Sequence, residues 1–234
     1  MKSESIIISL LIGTLFFTNC SSGEQRVKQV TGKETDRRTT RPILNVYNMG
    51  GVPLNEMDEF VGKLKTIYPE TRYAGKLALV DSACIKNDPM GKNRYWWPKL
   101  CSHLVKTTDT KNGITLVLVN AEVCNRNNKN GSHANLGVSN LGGHVSTVSY
   151  QRLRVNRLDN LNDMTKVAIH ELGHSVAALV RVREDLRYHC SIDTCLMRDA
   201  KNHYPYRGVI SFCPRCARAM KAKGFKVDAL MLSK

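Results

Sequence analysis

Two histidines and a glutamate carry the plainest chemistry in this sequence: His170-Glu171-Leu172-Gly173-His174. Side chains four residues apart lie on one face of a helix. The imidazoles of His170 and His174 can therefore bind a single Zn2+ without bending the backbone. Glu171 follows the first ligand directly and is rotated off the ligand axis. From there its carboxylate can take a proton from a metal-activated water and pass it later to a leaving amine. A catalytic zinc keeps one position open and takes three protein ligands. The next histidine is His189, 15 residues after His174. A helix running on to about Val182 would carry the chain ~12 Å past His174 at 1.5 Å per residue. The stretch 183–189 spans ~20 Å when extended, so His189 can be brought back to the metal. His203 and Asp185 are competing donors; His189 is preferred because it stands at the head of a cysteine cluster.

His189 leads directly into Cys190, with Cys195 five residues on and Cys213-Pro214-Arg215-Cys216 closing the set. A Cys-x2-Cys pair with a second Cys pair at moderate distance is the pattern of a tetrahedral zinc site, and Pro214 stiffens one of its two loops. Two disulfides are the alternative, open to an exported protein. The chain has 8 cysteines. Of the others, Cys84, Cys101 and Cys124 allow one further pair, whose partners the sequence does not name.

The elements that must position these groups are readable in outline. Met164, Val167, Ala168, Leu172, Val176 and Leu179 give the histidine-bearing segment an apolar surface, so it reads as a buried helix from about Met164, capped by Asn162 or Asp163. Upstream, Ile43–Tyr47 has a strand pattern. Leu54 to Ile67 has apolar residues at helical spacing (Met57, Phe60, Val61, Leu64, Ile67). Lys76–Val80 reads as a second strand and Arg94 to Lys106 as a second helix. Ile114–Asn120 is a near-continuous branched apolar run that fits a central strand. Residues 125–132 are rich in Asn and Gly and read as a loop. Gly142 to Tyr150 alternates polar and apolar residues, as an exposed edge strand does. Strands alternating with helices, then a ligand-bearing helix and a cysteine-rich tail, predict an α+β domain built on a mixed sheet.

The first residues are not part of that domain. Lys2 and the 12-residue apolar run Ile6 to Phe17 match a secretory signal, the run being too short for a mature membrane span. It ends at Thr18-Asn19-Cys20-Ser21, which resembles a bacterial lipobox with Cys20 as the lipidated residue; a plain signal with an incidental Cys is the alternative. Residues 21–41 are polar and charged and read as a tether, leaving 42–234 as the folded domain. The net charge is +15, with a denser basic patch at Arg215, Arg218, Lys221, Lys223 and Lys226. Such a surface attracts anionic lipid, acidic substrate or nucleic acid, and for an exported chain nucleic acid is not expected. A monomer is expected, lipid-anchored at the cell envelope.

The order His-Glu-x-x-His, then His-Cys-x4-Cys-x-Met, then Cys-x-x-Cys resembles the archaemetzincins, a family within the metzincin metallopeptidases. Leu141 to Ser149 is similar to that family's edge strand ahead of the catalytic helix. The resemblance spans about residues 43–223 and is stronger from Leu136 onward. Ala177 and Val180 stand where the usual motif has Gly and the third His, and nine extra residues separate His174 from His189. The resemblance implies a metzincin-like mixed sheet with an active-site helix, a C-terminal zinc subsite of four cysteines and two Zn2+ per chain. By position, His170, His174 and His189 hold the catalytic ion, with Glu171 as general base. Cys190, Cys195, Cys213 and Cys216 hold a structural ion, and Met197 is the Met-turn residue packed beneath the site. The implied activity is hydrolysis of peptide or protein substrates, an extended peptide adding to the edge strand. The competing expectations are a catalytically inactive metzincin-like binding module and a basic zinc ribbon that binds nucleic acid, the latter opposed by the leader.

Overall fold

Every residue of Gly113–Val119 is buried, and this strand is the middle one of the main sheet. A computed structural model of the chain describes residues 41–78, 80, 82–87, 93–125, 134–156, 160–177, 189–198 and 211–230. The expectations for the leader, Cys20 and nearly all of the tether lie outside those residues, as do Leu179, Asp185, His203 and most of the 125–132 loop. The elements in chain order are β1 (Ile43–Met49), α1 (Leu54–Ile67), β2 (Thr71–Leu77), β3 (Ile85–Asn87), β4 (Asn93–Trp96), α2 (Trp97–Thr107), β5 (Gly113–Val119), β6 (Val123–Cys124), β7 (Gly137–Ser139), β8 (Val145–Ser149), α3 (Tyr150–Val155), α4 (Leu161–Ser175) and α5 (Pro214–Ala222). Short 3-10 turns lie at Ser82–Cys84 and Val227–Leu230. Among the described residues no helix is long and apolar enough to cross a membrane.

The main sheet has five strands in the order β2-β1-β5-β8-β7. β1, β2, β5 and β8 run parallel, and β7 is antiparallel to β8. A smaller sheet has the order β3-β4-β6. The expected mixed-sheet α+β architecture is therefore what the chain adopts. Successive strand residues point to opposite faces. Leu44, Val46, Ile114, Leu116 and Leu118 enter one core with α1, α4 and α5, and Met49, Val117 and Val119 enter another with α2.

α1 occupies the residues that its apolar spacing marked, and Met57, Phe60, Val61, Leu64 and Ile67 are all buried. Its end is tied to the C-terminal segment. Lys226 N–H donates to the Ile67 carbonyl at 2.7 Å, and the Tyr68 and Phe225 rings lie 4.7 Å apart.

Three expectations are corrected. The second strand lies at 71–77 rather than 76–80: β2 is an outer strand, largely half-exposed, with a register shift opposite Val46/Tyr47, so its apolar pattern is weak. Residues 93–96 are strand rather than the first turn of the second helix, which starts at Trp97 with Pro98 in its first turn, where the missing N–H costs nothing. Gly142 to Tyr150 is not an edge strand. β8 lies between β5 and β7 with all five residues buried, and the edge beside it is β7. Its polar residues are tolerated inside because each is bonded. Ser146 Oγ donates to Ser175 Oγ at 2.8 Å, Thr147 Oγ1 to the Val138 carbonyl at 3.2 Å, and Ser149 Oγ to the Ala121 carbonyl at 2.6 Å.

Candidate functional site

α4 is held at both ends. Its N-cap is Asn160, not Asn162 or Asp163, and the Asn160 side chain accepts from Asp163 N–H at 2.9 Å, satisfying one of the donors that a helix start leaves open. Its last helical residue is Ser175, so the helix stops seven residues short of the expected Val182. The stop is made by a distant loop. Gly142 N–H donates to the His174 carbonyl at 3.2 Å and His144 N–H to the Ser175 carbonyl at 3.4 Å. Both donors stand at positive φ, 66° and 60°, which is ordinary for glycine and uncommon for histidine.

Along α4, residues 163–165 and 167–175 are buried. His170 and His174 project from one face, as their spacing requires, and their Nε2 atoms lie 3.1 Å apart. His189 joins them, with ring centroids 5.3 Å from His170 and 5.0 Å from His174. One ring nitrogen from each lies within 4.8 Å of the others. Two nitrogens each ~2.0–2.1 Å from one zinc at a tetrahedral angle stand ~3.3–3.4 Å apart, so this cluster is of the right size for that ion. The His170 Nδ1–H donates to the Leu196 carbonyl at 2.7 Å. That bond fixes the tautomer, leaving the Nε2 lone pair for a metal.

The Glu171 side chain meets β7. Ser139 Oγ donates to its carboxylate and also lies 2.8 Å from its backbone carbonyl. Gly137 leaves the space. A Cβ there would fall 2.6 Å from Glu171 Cγ and 2.7 Å from Oε1, closer than real contacts allow. Burial raises the Glu171 pKa to about 7, with the Ser139 hydroxyl pulling the other way. A carboxyl tuned near neutrality can both accept and return a proton.

Cys190, Cys195, Cys213 and Cys216 bring their sulfurs within 4.8 Å of one another. All four are thiols, so the two-disulfide alternative is not realised. Cys190 and Cys213 Sγ stand 3.8 Å apart. Two sulfurs bonded ~2.3 Å from one tetrahedral zinc are also ~3.8 Å apart, against ~2.05 Å in a disulfide. The hydrogen bond between Cys195 and Cys216 pulls the Cys195 pKa down to about 5 and pushes that of Cys216 up. Burial pushes Cys190 up. A divalent cation resolves this crowding by replacing the protons.

Met197 is fully buried in the same core, and its carbonyl accepts the Cys190 N–H at 2.7 Å. Arg215, Arg218, Lys221, Lys223 and Lys226 are exposed on and after α5, Lys221 pairing with Asp228 at 2.9 Å. Gly137, Ser139 and the Leu196 carbonyl were not foreseen. Each acts across the fold, as Ser139 does on Glu171 from 32 residues away, and nothing local marks them.

No protein-family model and no curated protein matches the sequence. Solved structures do match. Archaemetzincin from Methanopyrus kandleri superimposes with a TM-score of 0.58 at 19% identity, covering 80% of this chain and 97% of that one. Archaemetzincin from Archaeoglobus fulgidus, solved with malonate, gives 0.54 at 20% identity over 76% and 99%. A zinc-dependent peptidase from Methanocorpusculum labreanum gives 0.53 at 15% identity over 76% and 99%. The chain therefore has the fold of these archaemetzincins, with a three-imidazole and a four-thiol cluster built into it.

Proposed function

We propose that this domain is a zinc-dependent peptidase in which His170, His174 and His189 hold the catalytic ion and Glu171 is the general base. The observation that carries the reading is the convergence of three imidazole nitrogens within 4.8 Å, two of them from the helix that also bears Glu171. When bound there, zinc supplies a Lewis acid for the scissile carbonyl and acidifies a water molecule. Glu171 takes the proton of that water and delivers it to the amine of the departing peptide. Ser139 and the backbone at Gly137 keep the carboxylate in one place while this happens. An extended peptide or protein segment adds to the rim of β7, the strand at the sheet's end next to α4. Cys190, Cys195, Cys213 and Cys216 hold a second, structural zinc, and Met197 packs beneath the site as the Met-turn residue. The chain acts as a monomer, exported and held at the cell envelope through a lipid on Cys20.

The test is Glu171→Gln. The variant should keep two zinc ions per chain and lose hydrolysis by about 10²–10⁴-fold; a retained rate would sink the mechanism. His189→Ala should leave one tightly bound zinc, read by elemental analysis of the purified chain.

A further inference from the structure

We propose that the two donor clusters are energetically coupled: occupation of the four-thiol cluster assembles the three-imidazole site, so that zinc binds the imidazoles more tightly once the thiols are filled. The inference rests on the reading that both clusters hold zinc.

The coupling is carried by residues 190–198. His189 and Cys190 are chain neighbours, so their α-carbons are ~3.8 Å apart and a displacement of one sulfur ligand moves the third imidazole. Cys190 is in turn fastened across its own loop. Its N–H donates to the Met197 carbonyl at 2.7 Å, and it forms a bridge with Arg198. The same loop supplies the second link. Leu196 sits directly after Cys195, and its carbonyl is the acceptor that orients the His170 imidazole. Leu196 N–H donates to the Ser211 carbonyl at 3.0 Å, and Cys195 accepts the Cys213 N–H on its sulfur at 3.3 Å. One loop therefore delivers two thiols to one cluster and, to the other, an imidazole and the partner of a second imidazole.

The backbone that carries the other two imidazoles does not depend on this loop. His170 and His174 lie buried within a capped helix. His189 is only half-buried, and the residue that follows it is a thiol of the other cluster. An ion that draws four sulfurs to one point fixes Cys190 and Cys195, and with them His189 and the Leu196 carbonyl. Such outer contacts change metal affinity by about 10–100-fold. Coupling of this kind is reciprocal: filling the imidazoles must tighten the thiol cluster by the same factor.

The experiment uses the full apo chain, titrated with Zn2+ against a competing chelator. The comparison is between wild type and Cys213→Ser/Cys216→Ser, whose altered residues lie on or beside α5 and leave the 190–198 loop intact. The variant should bind zinc at the imidazoles about 10–100-fold more weakly than wild type. Equal affinity in a folded variant overturns the coupling. Should the variant not fold, wild type decides. One equivalent of Cd2+, which prefers thiolates, should shift the ring 15N resonances of His189 and His170 before any ion reaches the imidazoles. Unchanged resonances overturn the proposal. Failure of the underlying reading has a different signature: wild-type chain that takes up no second zinc at all.

Discussion

The two faces of the five-stranded sheet are buried alike but carry different chemistry. On one, Leu116 and Leu118 of β5 meet α1 and α4; on the other, Val117 and Val119 of the same strand meet α2. Both layers contain side chains with no exposure, such as Leu172 on α4 and Leu100 on α2. Among the described residues, only the α4 face holds the His and Cys donor clusters. Stability is thus spread over both faces and donor geometry is confined to one, so the two properties can be separated by mutation.

Cavity-forming changes test that separation most strongly. Leu100→Ala and Leu172→Ala should each cost about 2–5 kcal/mol, measured by urea denaturation. The folded fraction of Leu100→Ala should retain its zinc content, whereas Leu172→Ala, lying between the two helical histidines, should lose zinc as well. Equal zinc loss in both would erase the distinction between the faces. Gly137→Ala sharpens it at the site itself. The added methyl meets the Glu171 side chain at 2.6 Å, an overpacking of about 1–3 kcal/mol, and should displace the base; turnover should fall further than stability accounts for, with zinc retained. The smallest effect is at the start of α4. Asn160→Ala removes the cap and should cost about 1 kcal/mol, lowering the midpoint of thermal unfolding by about 2–4 °C with turnover at low temperature unchanged.

The same contrast explains what could be read from the sequence. α1 was legible to the residue because Met57, Phe60, Val61, Leu64 and Ile67 face one core and nothing distant alters their spacing. The pairing of His170 with His174 and the thiol set follow from spacing alone. His189 came from its adjacency to Cys190. What failed depends on partners far away in the chain. β8 reads as an exposed strand because Ser146, Thr147 and Ser149 are polar, yet all three are buried against bonding partners on other elements. β7 is only three residues long and has too little pattern to register. The sequence pattern carries α4 past its real end because the loop that stops it begins more than 30 residues earlier.

That early stop has an electrostatic consequence. Peptide dipoles aligned along a helix leave about half a negative charge at its carboxyl end, worth about 0.3–1 kcal/mol to a cation within the last turn and up to ~2 kcal/mol where partly buried. His174 is in the last turn of α4. The helix therefore ends its negative pole within a turn of a residue that would hold a divalent ion. A chain that continued the helix to residue 182 would carry that pole about two turns away.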